Sequence, residues 1–269
     1  MSMPRAEFLT ARPDELEAVV AEVPVAYLPL GTYGHHGWHL PPTYDGIKAY
    51  ELCRRSAERT GGVVFPTLYY GIGGGHVGYK WTAIVDEVLV RPLLEVTLDR
   101  LVAWGFQVIV LYTGHYAGEQ VRMVHALAEE AEARHPQARF WGVTDPELTS
   151  PLPGDTRRGD HAAKYETSIA LYLNPEWVRL DLLTAGRRAE DVALPETPRG
   201  EGTPYQPAHR LYAIHGDDPA EYASAENGEL IVDEILDLLA TGVWDRQAEL
   251  RDAARAAAGE PQDPEADVY

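Results

Sequence analysis

The sequence predicts an α/β fold, a three-layer αβα sandwich on a mainly parallel central sheet. Short apolar runs rich in β-branched and aromatic residues alternate with longer segments whose apolar residues recur near every 3.6 positions. Polar residues of catalytic type follow directly after several of the apolar runs, where open α/β sheets place their ligand crevices. The chain has 269 residues and 45% hydrophobic content, enough to bury one sizeable core.

Taken in order, Val25 to Gly31, Val63 to Gly71, Phe106 to Gly114 and Ala138 to Thr144 read as strands. Helical spacing is expected at about Gly46 to Arg59, Ile84 to Trp104 and Gly118 to Arg134. A further helix fits His161 to Leu173 and ends before Asn174-Pro175, because proline disfavours helical geometry in the residue before it. Two more are expected over Ala220 to Leu239 and Arg246 to Ala258. The stretch from about Ala185 to Pro207 is rich in Gly, Pro, Arg and Glu and reads as a long surface loop. One domain is expected over residues 1–258, followed by an acidic, flexible tail over 259–269.

Composition excludes several function classes. The formal net charge of -19 repels nucleic-acid phosphates and anionic lipid heads, and no Lys/Arg cluster compensates. No uninterrupted apolar run approaches membrane-spanning length, and the N-terminus lacks the basic-then-apolar order of a signal peptide. The expected location is the cytoplasm, with neither nucleic acid nor membrane as partner. The single cysteine, Cys53, rules out a disulfide framework and any multi-cysteine zinc site, so a metal would rest on His, Asp and Glu.

Chemistry concentrates in four segments. After the first strand come His35, His36 and His39 with Asp45; the second is followed by Gly73-Gly74-Gly75-His76; the third ends at Gly114-His115-Tyr116; and Asp160-His161 precedes Glu166 at a helix start. Six of the ten histidines lie here. A lone histidine is more often a turn cap or a satisfied core residue, but four histidine-bearing loops at strand ends and a helix start argue for a common site. Neutral imidazole and carboxylate without thiolate suit Zn or Mn, with Fe as a third choice. The three consecutive glycines lack both the spacing and the following Lys-Ser/Thr of a phosphate loop.

These residues resemble the creatininase family, whose first motif reads approximately Gly-Ser-x-Glu-Gln-His-Gly-x-His-Leu-Pro-x-x-Thr-Asp. Gly31, His36, Gly37, His39, Leu40, Pro41 and Asp45 match it in register. Further matches follow in order: Tyr70, Gly71 and His76; Gly114 and His115; His161, Ala162, Glu166, Thr167 and Ser168; then Gly216, Asp217, Pro219, Ala225, Glu226 and Gly228. The resemblance implies a metal-dependent hydrolase of a carbon-nitrogen bond in a small molecule, with Asp45 bridging two divalent ions, His36 on one, His115 on the other and Glu166 as an additional ligand. His161 would pass a proton to the leaving group. Tyr116, His76 and Trp81 would line the pocket, Trp81 being equally compatible with core packing. A homo-oligomer, a hexamer by analogy, is implied as well.

The chain departs from that pattern where the metal is held. Gly34 stands where the family has a ligand glutamate, and Ala117 where creatininase has another; Lys164, Gly75 and Tyr79-Lys80-Trp81-Thr82 replace further family residues. Three readings follow: one ion on His36, Asp45 and Glu166; a substitute ligand from His35, His39 or Glu119; or loss of catalysis with binding retained. In the first two, water activated on the ion attacks an amide or amidine carbon while His161 protonates the nitrogen. The rival readings are a lyase, isomerase or hydratase acting on a keto-sugar or cyclic polyol, and a catalytically inactive binding homologue.

Overall fold

The computed structural model describes residues 3–75, 79–152, 154–155, 158–183 and 214–258. Its sheet has five strands, β1 (Arg5–Glu7), β2 (Val25–Leu30), β3 (Gly62–Val64), β4 (Val108–Thr113) and β5 (Arg139–Thr144), in the order β1-β3-β2-β4-β5. Every neighbouring pair is parallel. The helices are α1 (Pro13–Glu22), α2 (Tyr44–Thr60), α3 (Glu87–Ala103), α4 (Gly118–Arg134), α5 (Lys164–Leu173), α6 (Pro219–Tyr222) and α7 (Ala225–Ala258).

Successive side chains of a strand point to opposite faces, so continuous apolar runs such as β2 and β4 must be covered on both. Tyr27, Val108, Val110 and Tyr112 meet Leu52 and Cys53 of α2, Ile169 of α5 and Ile231, Ile235 and Leu239 of α7. On the other face Leu28, Leu30, Ile109 and Leu111 meet Leu94 and Leu98 of α3 and Met123, Val124 and Leu127 of α4. These are the three layers the alternation predicts.

Besides shifts of one to three residues at other ends, four departures from expectation have a physical reason. The strand expected over Val63 to Gly71 ends at Val64 because Pro66 has no N–H to give the ladder; pairing resumes only at the single bridge Leu30–Leu68. The helix expected from His161 starts at Lys164, since Ala162 has a left-handed φ of 53°. The helix expected over Ala220 to Leu239 is interrupted after α6 at Ala223, and from Ala225 it runs unbroken through the second expected helix to Ala258; Gly242 makes room within α7 for Trp141, whose ring would collide with any β-carbon there. The N-terminal β1 and α1 were not expected: β1 is three residues long, too short for a periodic signal. His76, the 185–207 stretch and the 259–269 tail lie outside the described residues. Among the described residues, no helix is long and apolar enough to cross a membrane.

Candidate metal and catalytic site

Asp45 organises the site. It falls in the first turn of α2 and is 2% exposed. Two strand-end glycines let this turn press against the sheet: a β-carbon on Gly31 would strike the backbone of Gly46, and one on Gly114 the carbonyl oxygen of Asp45. Held there, Asp45 faces two imidazoles. His36 Nε2 lies 2.9 Å from Oδ1, and His115 Nδ1 lies 3.0 Å from Oδ2 in hydrogen-bond alignment. Burial would raise the Asp45 carboxyl, but the two histidines hold it well below the usual carboxylate range.

Glu166 approaches from the start of α5. Asp160 caps that helix, accepting from the N–H groups of Ala163, Tyr165 and Glu166. The left-handed kink at Ala162 turns its N–H onto Glu166 Oε2 at 2.7 Å. The same oxygen is 3.6 Å from His36 Nε2. His161, just before the kink, brings its ring to 4.4 Å from that of His36, and its Nε2 lies 2.9 Å from the carbonyl oxygen of His35. His36, His161 and Glu166 each offer a ligand atom, all within 4.8 Å of one another.

The donor set fits a divalent ion. His36 Nδ1 donates to the Gly34 carbonyl at 2.9 Å, which leaves Nε2 with a lone pair. That nitrogen is buried and makes no hydrogen bond, although Asp45 Oδ1 and Glu166 Oε2 face it. Acceptor atoms gathered in a dry site repel one another unless a cation lies between them. Burial would depress His36, but the charges of Asp45 and Glu166 outweigh it and lift the group to about 9: in the absence of another cation, the cluster draws a proton.

Among the described residues, His35, His39 and Glu119 do not join the group of His36, His161 and Glu166. His35 stacks on Tyr79, and its N–H donates to Thr82; burial lowers its pKa to about 4. His39 turns to Thr167 Oγ1 at 2.9 Å, and burial lowers it to about 3. Glu119 is exposed and packs against Gly73. Trp81 is 73% exposed rather than packed in the core, and does not line the small cavity that Thr32, His36, Asp45, Ile84, His115 and His161 enclose. A larger groove, about 730 Å³, runs between α4, β5 and α7. Its Glu, Arg and aromatic lining has no convergent ligand set, so the chemistry belongs to the smaller cavity.

A family model described as creatininase, creatinine amidohydrolase, matches residues 10–243. The chain belongs to the creatininase family. It is 28% identical over 228 residues to creatinine amidohydrolase of Pseudomonas putida, covering 78% of this chain and 84% of that protein. It is equally similar, 28% over 224 residues, to the mycofactocin precursor peptide peptidase of Mycobacterium ulcerans, covering 80% and 82%. Among solved structures, a mutant creatininase of the Zn-Zn type superposes with a TM-score of 0.72 at 25% identity, and a manganese creatininase with 0.71 at 26%; each comparison covers 90% of this chain and 98% of the other. Membership places the protein among hydrolases.

Within this creatininase frame, two residues of the site escaped sequence reading. Lys48 is fully buried, and its Nζ lies 2.8 Å from Glu166 Oε1 and 3.0 Å from Asp145 Oδ2. It also donates to the Tyr116 hydroxyl, which in turn donates to Asp145. Tyr116 therefore lies behind the ligands, in contact with this ion pair. Both residues left a signal: Lys48 is one helical turn from Asp45 on the same face, and Asp145 directly follows a strand.

Proposed function

We propose that this creatininase-family protein is a metal-dependent hydrolase that cleaves a carbon-nitrogen bond, amide or cyclic amide or amidine, of a small molecule. The observation that carries the reading is the buried His36 Nε2, without a hydrogen bond, aimed at Asp45 Oδ1 and Glu166 Oε2. His36, Asp45 and Glu166 would hold the ion, Zn or Mn, with His115 on the far oxygen of Asp45. When bound, such an ion lowers the pKa of water toward about 7 and polarises a carbonyl.

The protein's own groups supply the rest. Asp45 and Glu166 bring the negative charge that holds the cation, and the burial around them keeps the site dry, which strengthens each electrostatic contact. The His161 Nε2 proton engages the His35 carbonyl, which makes Nδ1 the basic nitrogen. His161 is thereby suited to take a proton from the attacking water and return it to the departing nitrogen, a role worth roughly 100- to 10,000-fold. A homo-oligomer fits the surface of α3, where Leu89, Leu93 and Val96 form one exposed apolar stripe beside Val88.

The test is hydrolysis of a panel of cyclic amides, linear amides and short peptides by protein loaded with Zn or Mn, beside chelator-treated protein and His161→Gln. Metal-dependent turnover that His161→Gln lowers at least about 100-fold is expected. Turnover of none of these substrates by metal-loaded protein would refute the reading.

A further inference from the structure

Lys48 contributes a permanent positive charge to the floor of this site. Its side chain is fully buried, its ammonium lies 4.0 Å from the Tyr116 ring centroid, and it contacts one oxygen each of Glu166 and Asp145. Glu166 is divided as a result. Oε1 belongs to Lys48, while Oε2 takes the Ala162 N–H and faces His36. Asp145 has its own partners besides Lys48, since its Oδ1 accepts from Tyr112 at 3.0 Å and its Oδ2 from Tyr116.

Donor counts on the two sides of Asp45 are unequal. Beside Oδ1 stands His36, whose Nε2 also faces Glu166 Oε2 and which groups with His161 and Glu166. Around Oδ2 stands His115, already hydrogen-bonded to it, with its other nitrogen 3.4 Å from the Gly73 carbonyl. Gly34 and Ala117 offer no side-chain donor. The charge balance agrees. Counting only the groups in direct contact with His36 or Lys48, Asp45, Asp145 and Glu166 against Lys48 leave two net negative charges, which one divalent ion cancels. A second would leave these groups with an excess charge of +2.

On the reading that the site binds a divalent ion, we propose that Lys48 stands in for a second one. It neutralises Asp145 and half of Glu166, turns Glu166 Oε2 toward His36, and so limits each chain to a single divalent ion at His36. Lys48 is a positioning residue here, acting through Glu166.

The experiment is calorimetric titration of the chelator-stripped full-length chain with Mn2+ and Zn2+, with elemental analysis of the saturated protein. Wild type should bind one ion per chain, and Lys48→Arg should do the same. Lys48→Met, which adds a net negative charge, should take up more than one. Lys48→Met combined with Asp145→Asn restores the charge without restoring the grip on Glu166. It should bind one ion about 10-fold more weakly, the loss typical when a ligand's supporting partner is removed. The double variant decides the matter if Lys48→Met fails to fold. Two ions per chain in wild type would overturn the proposal, as would unchanged stoichiometry and affinity in every folded Lys48 variant. Two ions with metal-dependent turnover would sink the role of Lys48 alone; no bound ion at all would sink the hydrolase reading beneath it.

Discussion

His36 Nε2 stands 2.9 Å from Asp45 Oδ1, and no hydrogen bond joins them. Nδ1 of the same ring is engaged with the Gly34 carbonyl, so the ring is oriented from behind and its second nitrogen is presented forward. The other carboxylate oxygen of Asp45 is committed to His115. One short side chain thus ties two loops together.

Asp45→Ala should therefore cost more metal affinity than Glu166→Ala. Asp45 spends both oxygens on the two imidazoles, whereas Glu166 spends one on Lys48. The expected gap is about 10-fold or more, within the range seen when metal-site groups are removed. Calorimetric titration of both variants measures it, and equal losses would mean that Asp45 is not the central ligand.

Gly34→Glu should raise the number of tightly bound divalent ions. Gly34 is not in the left-handed region, and a β-carbon there would lie 3.3 Å from Thr32 Cγ2 and 3.4 Å from His36 Cε1. The fit is tight but directed at the proposed ligand. Elemental analysis beside wild type checks the outcome. An unchanged content in folded variant protein would show that a missing carboxylate does not limit occupancy.

Gly114→Ala should destabilise the fold and weaken metal binding together. The added methyl meets the Asp45 carbonyl oxygen, which is backbone and cannot rotate away. Overpacking of this kind costs about 1–3 kcal/mol. Urea unfolding reads the first effect and metal titration the second. Loss of stability with metal affinity intact would separate the glycine's packing role from the placement of Asp45.

Acid should destabilise the protein partly through His39. Burial lowers its folded pKa to about 3, against an ordinary value of 6.5. The unfolded chain then binds the proton more readily, so the stability is complete above pH 6.5 and is lost as pH falls toward about 3. His35, lowered to about 4, acts in the same direction. His39→Gln, which can keep a bond to Thr167, should reduce the slope of unfolding free energy between pH 6.5 and 4.5 by about one proton, or about 1.4 kcal/mol per pH unit. An unaltered slope would count against the buried neutral imidazole.

Much of the fold was legible because its signals are local. The runs that became β2 and β4 are apolar at consecutive positions, and only a sheet covered on both faces buries both sides of such a strand. The helical spacing of α4 matched its observed bounds, Gly118–Arg134. Where a proline or a glycine had two uses, local reading went astray. Pro66 cut short a strand whose composition looked continuous, and the space that Gly242 leaves inside α7 is taken by the Trp141 ring, which comes from a distant strand.

The sequence by itself determined the layer order, the strand ends where chemistry would gather, and the ligand types available: imidazole and carboxylate, with no thiolate beyond Cys53. The motif register pointed to His36 among His35, His36 and His39, but only the tertiary structure shows that it is the one whose ring meets Asp45. In an irregular loop no period sets side-chain direction; the turn through Gly37, at φ 67°, sends neighbouring rings to different partners. Tertiary structure likewise decided the role of Lys48. Its position on α2 shares a face with Asp45, but the charges that keep a lysine buried, Asp145 and Glu166, arrive from the turn after β5 and from α5. Burial of a charge depends on partners brought together by packing, which one chain segment read alone does not contain.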